Sequence, residues 1–133
     1  MAELTRIQIV VALQSCDLFS FCRAEEILRI AGIAQERKFE PGEVIYEKSA
    51  PAEKLHAVIH GQVRLENDRD GVQIVGPLQT FGVREILCGR LRDETAVAEE
   101  STLALAIEAD DFFDLLANNI DIVKALFRHL LKS

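Results

Sequence analysis

The residues able to do chemistry crowd one stretch. Residues 81–97 hold Arg84, Arg90 and Arg92 among Glu85, Asp93 and Glu94, a local net charge of zero. A guanidinium makes charge-assisted hydrogen bonds to phosphate oxygens, and exposed amides at the start of a short helix favour an anion. Anion recognition is therefore the chemistry on offer. Against it, carboxylates within about 4–6 Å of such a ligand repel it. Arg92 can equally pair with Asp93 or Glu94, or lie in solvent. His56 and His60 are four apart, so on one strand they share a face. A metal site there needs a third imidazole and a carboxylate. His129 is the only other histidine and falls in the last helical pattern, so edge or surface histidines and no metal are expected. Cys16, Cys22 and Cys88 are odd in number and lack metal-ligand spacing, which argues against a disulfide framework or zinc site. Cys22 and Cys88 are expected to be buried, reduced thiols. No nucleophile-elbow, HExxH or phosphate-loop pattern occurs, so the chain reads as non-enzymatic.

These residues need elements to position them. Residues 4–14 suit a short helix, broken at Cys16-Asp17-Leu18-Phe19-Ser20. Residues 23–35 form a clear helical pattern, with Ala24, Ile27, Leu28, Ala31 and Ala34 on one face. Turn chemistry follows at Phe39-Glu40-Pro41-Gly42-Glu43. Strands are expected at 44–46, 55–59, 63–66 and 72–75, with a hairpin turn at Asp68-Arg69-Asp70-Gly71 and a stop at Gly76-Pro77. Two more cover 95–98 and 102–107. From 109 the period is helical again, and the final helix carries Ile122, Val123, Leu126, Leu130 and Leu131 as its apolar stripe. Phe112, Phe113, Leu115, Leu116, Leu126 and Phe127 are expected to pack on the β block. Short strands separated by turns suggest a sandwich or small barrel. The plan is one domain over 1–133: helices over about 4–35, a β-roll over about 36–108, and C-terminal helices over about 109–132.

This order resembles the cyclic-nucleotide-binding domain family, the small roll of kinase regulatory subunits, gated channels and catabolite-activator-type regulators. Leu18-Phe19-Ser20 with Glu25-Glu26-Ile27 resembles the family's opening helix. Phe39-Glu40-Pro41-Gly42-Glu43-Val44-Ile45-Tyr46 resembles its first turn and strand, and Leu55 to Leu65 the next two strands around Gly61. Gly76-Pro77 and Phe81-Gly82 resemble the approach to the ligand cassette, and Asp110-Asp111-Phe112 the helix after the roll. The resemblance implies a mainly β fold with flanking helices, a jelly-roll-like β-roll or double-stranded β-helix. It implies a regulatory role, with cAMP or cGMP as ligand and no cofactor.

In the family a Phe-Gly-Glu opens the cassette, whose Glu accepts from the ribose 2′-hydroxyl. A Pro-Arg-small-Ala-Thr segment closes it, and its Arg holds the cyclic phosphate. Here Phe81, Gly82, Arg92 and Thr95 match. Val83 stands at the Glu position, Leu91 at the Pro, and Asp93 and Glu94 at the small residues. Losing a hydrogen bond to a charged acceptor costs ~1.5–3 kcal/mol, a ten- to hundredfold loss of affinity. Glu85 is two residues beyond Val83, about 200° around a helix, so it is expected to point elsewhere. The resemblance thus implies weak or atypical binding of a cyclic nucleotide or another anion through Phe81, Gly82, Val83, Arg92 and Thr95. The alternative is a degenerate roll that serves protein–protein contact within a larger, transporter- or helical-repeat-fused bacterial protein. A protein partner or homodimer contact would then use the C-terminal helix.

Composition narrows the classes. With 133 residues, 49% hydrophobic and 28% charged, the chain can fold around a core and is not disordered. Its net charge is −7 and no basic stripe is visible, which argues against nucleic acid as partner. No apolar run reaches the ~18 residues of a spanning helix. Met1-Ala2-Glu3-Leu4-Thr5-Arg6 lacks a secretory pattern, and a cytoplasmic setting is expected. No recognition helix follows the roll, so transcription-factor function is not expected.

Overall fold

Thr5 starts the first helix by a capping box. Its hydroxyl accepts from the Gln8 amide at 3.1 Å, and the Gln8 side chain accepts from the Thr5 amide at 2.8 Å. The computed structural model describes residues 3–69 and 71–132. Asp70, part of the expected hairpin turn, and Met1-Ala2 lie outside them. Helix α1 (Arg6–Ser15) leads to α2 (Ala24–Ala31), which ends at Gly32. The helical pattern expected to reach 35 stops there, because Ala34 opens a strand instead. That strand, β1 (Ala34–Phe39), pairs antiparallel with β8 (Thr102–Glu108).

The remaining strands are β2 (Val44–Tyr46), β3 (Lys54–His60), β4 (Val63–Asn67), β5 (Gly71–Val75), β6 (Thr80–Phe81) and β7 (Thr95–Ala98). They form two four-stranded antiparallel sheets, ordered β1-β8-β3-β6 and β2-β7-β4-β5. Neighbours in sequence repeatedly fall in opposite sheets, which makes a roll with flanking helices. Gly61 makes the tight passage from β3 to β4. Its φ is +94°, and a Cβ there would meet the Ser101 carbonyl oxygen at 2.5 Å.

A large core joins the helices to the first sheet through Leu13, Phe19, Ile27, Leu105, Ile107 and Phe112. A smaller one fills the roll with Val58, Val63, Leu65, Val75, Phe81 and Ala96. After the roll come α4 (Ala109–Ala117) and α5 (Ile120–Leu131). Phe112 and Leu126 are buried as expected, whereas Phe113 and Phe127 are exposed: a helix lying on a surface buries only one stripe. Cys16 is buried. Cys22 is only half-buried and Cys88 is exposed, because Cys88 ends a helix on its outer side. Among the described residues, no helix is long and apolar enough to cross a membrane, and no three metal-ligating side chains gather.

Candidate functional site

The pairing of β6 with β3 sets Phe81 opposite His56. The chain then turns at Gly82, whose φ is +88°, into α3 (Val83–Cys88), and leaves it at Gly89, with φ +66°. The loop that follows is tied to the one after β2. The Ser49 amide donates to the Arg92 carbonyl at 2.8 Å, and the Arg92 amide donates to the Ala50 carbonyl at 2.9 Å. Those two bonds fix the backbone from which Arg92 enters the roll.

Arg92 points inward and is only 3% exposed. Its Nη1 donates to the Gly82 carbonyl at 2.7 Å and to Glu85 Oε1 at 2.9 Å. Its Nη2 donates to the Lys54 carbonyl. The guanidinium carbon lies 4.0 Å from the centre of the Tyr46 ring, a cation–π contact. Glu85, expected to point away, is buried beside it. The reason is local. Val83, Glu85 and Ile86 are all buried in α3, and Ile86 falls between the other two around the axis. A single arc therefore takes all three inward. Asp93 does not reach Arg92 but pairs with Arg90 at 3.4 Å in solvent.

The other expected site residues are placed as follows. Gly82 touches Arg92 through its carbonyl, and a Cβ there would meet Arg92 Nη1 at 3.0 Å. Val83 is buried at the start of α3. Phe81 stacks on His56, with centroids 5.1 Å apart. Thr95 opens β7, and its hydroxyl accepts from the Lys48 amide at 3.0 Å. His56 is not an edge or surface residue: it is buried between β8 and β6, against Phe39 and Phe81. Burial first, then Arg92, Lys54 and Arg37, pushes its pKa down to about 3. His60 is exposed, beyond a register shift in β3, so the two histidines do not form a pair.

A cleft of about 240 Å³ opens between β4, β5 and the cassette. Leu65, Asn67, Gly71 and Gln73 face Arg84, Glu85, Asp93 and Glu94 across it, so that among the described residues three carboxylates meet one guanidinium. Arg92 does not line this cleft, although Glu85 does. Sequence reasoning missed Tyr46, the Lys54 carbonyl and Glu85 as partners of Arg92. The Glu85 signal was present in the flanking apolar Val83 and Ile86; the other two depend on how separate loops meet.

Residues 36–119 match the family model of the cyclic nucleotide-binding domain. Over 109 residues, 78% of this chain, the sequence is 28% identical to the potassium channel KOR1 of Oryza sativa subsp. japonica. The chain spans 13% and 27% of the two curated relatives it matches. The solved N-terminal domain of a transcriptional regulator from Streptomyces coelicolor superposes with TM-score 0.77 at 22% identity, covering 90% of this chain and 89% of that one. A regulatory subunit of a cAMP-independent protein kinase A from Trypanosoma brucei also gives TM-score 0.77, at 23% identity, over 92% of this chain and 47% of that one. These two likenesses are of fold.

Proposed function

The chain belongs to the cyclic nucleotide-binding domain family, and from that premise we propose that it is a non-enzymatic, ligand-sensing roll that takes cAMP or cGMP weakly. The observation that carries this reading is the buried Arg92–Glu85 pair. In the family's scheme the cassette arginine meets the cyclic phosphate. Here an internal carboxylate already occupies it. A nucleotide in the cleft must draw Arg92 away from Glu85, and the freed carboxylate then lies beside the incoming phosphate. Val83 adds to the cost, because a valine cannot accept from the ribose hydroxyl. Asp93 and Glu94 set the same sign of charge at the cleft. Glu85 in effect does the phosphate's work from within the chain.

Thermal unfolding with cAMP and with cGMP, on wild type and Arg92→Ala, tests this. Ligand at five times its dissociation constant stabilises by about 1 kcal/mol, or roughly 3–5 °C for a domain of this size. The reading expects such a shift only in the millimolar range, and none in Arg92→Ala. A shift that saturates at micromolar nucleotide, or that survives in Arg92→Ala, overturns it. A second reading, protein contact through α5, is favoured by Phe21, Phe127 and Leu131, which are exposed together beside Arg128 and Lys132. Sedimentation across a concentration series, on wild type and Phe127→Ser, tests it for a homodimer.

A further inference from the structure

A second cavity, of about 270 Å³, lies against β1, β2 and β3 and the loop that follows β2. It shares no lining residue with the cleft, and Arg92 is the one cassette residue in its wall. Although the chain carries net charge −7, this wall sets Arg37, Lys54 and Arg92 against a single acid, Glu53. Three wall residues each carry a buried polar atom with no hydrogen-bond partner among the described residues: the Tyr46 hydroxyl, His56 Nδ1 and Arg92 Nε. Elsewhere among the described residues, His129 Nδ1 alone shares that condition. Buried polar groups are rarely left unpaired, because desolvation is not then offset.

The chemistry of the three groups narrows the kind of partner they lack. Arg92 Nε–H can only donate. A tyrosyl hydroxyl and a nitrogen of neutral imidazole can each donate as well. His56 is neutral, as burial and the neighbouring cations dictate. An acceptor-rich, negatively charged group suits all three as donors, and Arg37 and Lys54 supply the attracting field. We infer that this cavity is a binding site for a small oxyanion, a carboxylate- or phosphate-bearing molecule, held by Arg92 Nε, the Tyr46 hydroxyl and His56 Nδ1 within reach of Arg37 and Lys54. Its volume, about 270 Å³, is well above what a single water needs and leaves room for a small metabolite. The site does not depend on nucleotide binding, because Glu85 takes Nη1 of Arg92 and leaves Nε unused.

The test follows the His56 ring by NMR while sodium phosphate or sodium succinate is added, against sodium chloride at matched ionic strength. A saturable displacement with either oxyanion, absent with chloride, is the expected result, and the arm that saturates tells phosphate from carboxylate. Two variants locate it. Arg37→Gln removes an exposed cation of the wall, and Tyr46→Phe removes the unpaired hydroxyl but keeps the ring against Phe81 and Arg92. Each should weaken the oxyanion about tenfold, and weakening in either supports the site. No saturation with either oxyanion, an equal response to chloride, or unchanged affinity in both variants overturns it. Binding here with no effect of cyclic nucleotide would leave this site standing while the nucleotide reading fails.

Discussion

Replacing Glu85 by leucine strands a buried guanidinium. The two side chains of the pair are 1% and 6% exposed, so water cannot take over for a missing partner. Removing one member of a buried pair costs about 3–5 kcal/mol. Arg92 keeps the Gly82 and Lys54 carbonyls, so Glu85→Leu belongs at the lower end, about 3 kcal/mol. Arg92→Met leaves the Glu85 carboxylate buried without its arginine, about 4 kcal/mol. The double variant buries neither charge and should cost no more than the worse single, about 4 kcal/mol. The coupling is then about 3 kcal/mol, large for neighbouring residues. Urea unfolding followed by circular dichroism reads this directly. With a slope of about 2 kcal/mol/M, Glu85→Leu should lower the midpoint by roughly 1.5 M. Singles below about 0.5 kcal/mol, or a double equal to their sum, would refute the claim that the pair is a coupled buried unit.

Gly82→Ala should lose about 2 kcal/mol, since alanine is strained at φ +88° and its Cβ would meet Arg92 Nη1 at 3.0 Å and the Lys54 carbonyl at 3.2 Å; the same urea assay checks it. His56 faces Arg92, Lys54 and Arg37 and the rings of Phe39 and Phe81, and its folded pKa of about 3 lies below the ~6.5 of the unfolded chain. Between those values the unfolded chain binds a proton that the folded one refuses, so stability falls as pH drops, by about 1.4 kcal/mol per pH unit. His56→Phe should flatten the curve between pH 6.5 and 5, and equal slopes in variant and wild type would contradict this. Native thiol titration with a disulfide reagent should modify Cys88 fast. Cys22 should lag and Cys16 should resist, because burial pushes their pKa values up to about 11 and about 12.

Six strands were legible because their apolar residues alternate or run together between glycines: 44–46, 55–59, 63–66, 72–75, 95–98 and 102–107 each fall inside an observed strand. β1 was not. Gln35, Glu36, Arg37 and Lys38 show no apolar alternation, and only pairing with β8 makes the segment a strand. Gly32 already carried the helix stop that the apolar face of 23–35 obscured. In the cassette, the order of Phe81, Gly82, Arg92 and Thr95 was readable, but the partner of Arg92 was not. A six-residue helix sunk in a roll buries a wide arc, so the angular separation of Val83 and Glu85 did not send them to opposite environments. His56 looked like a surface histidine because sequence alone does not say that β3 lies between two strands. The contacts of Arg92 with Tyr46 and the Lys54 carbonyl join segments roughly forty residues apart, beyond any local pattern.

Isothermal titration of cAMP into wild type and Glu85→Gln tests the central claim most directly. Glutamine keeps the shape and an acceptor for Arg92 but removes the charge that competes with phosphate. If Glu85 stands in for the ligand, the variant should bind cAMP about tenfold or more tightly than wild type, because the nucleotide no longer displaces a charged rival. Equal affinity in the two proteins, or weaker binding in Glu85→Gln, would contradict the account.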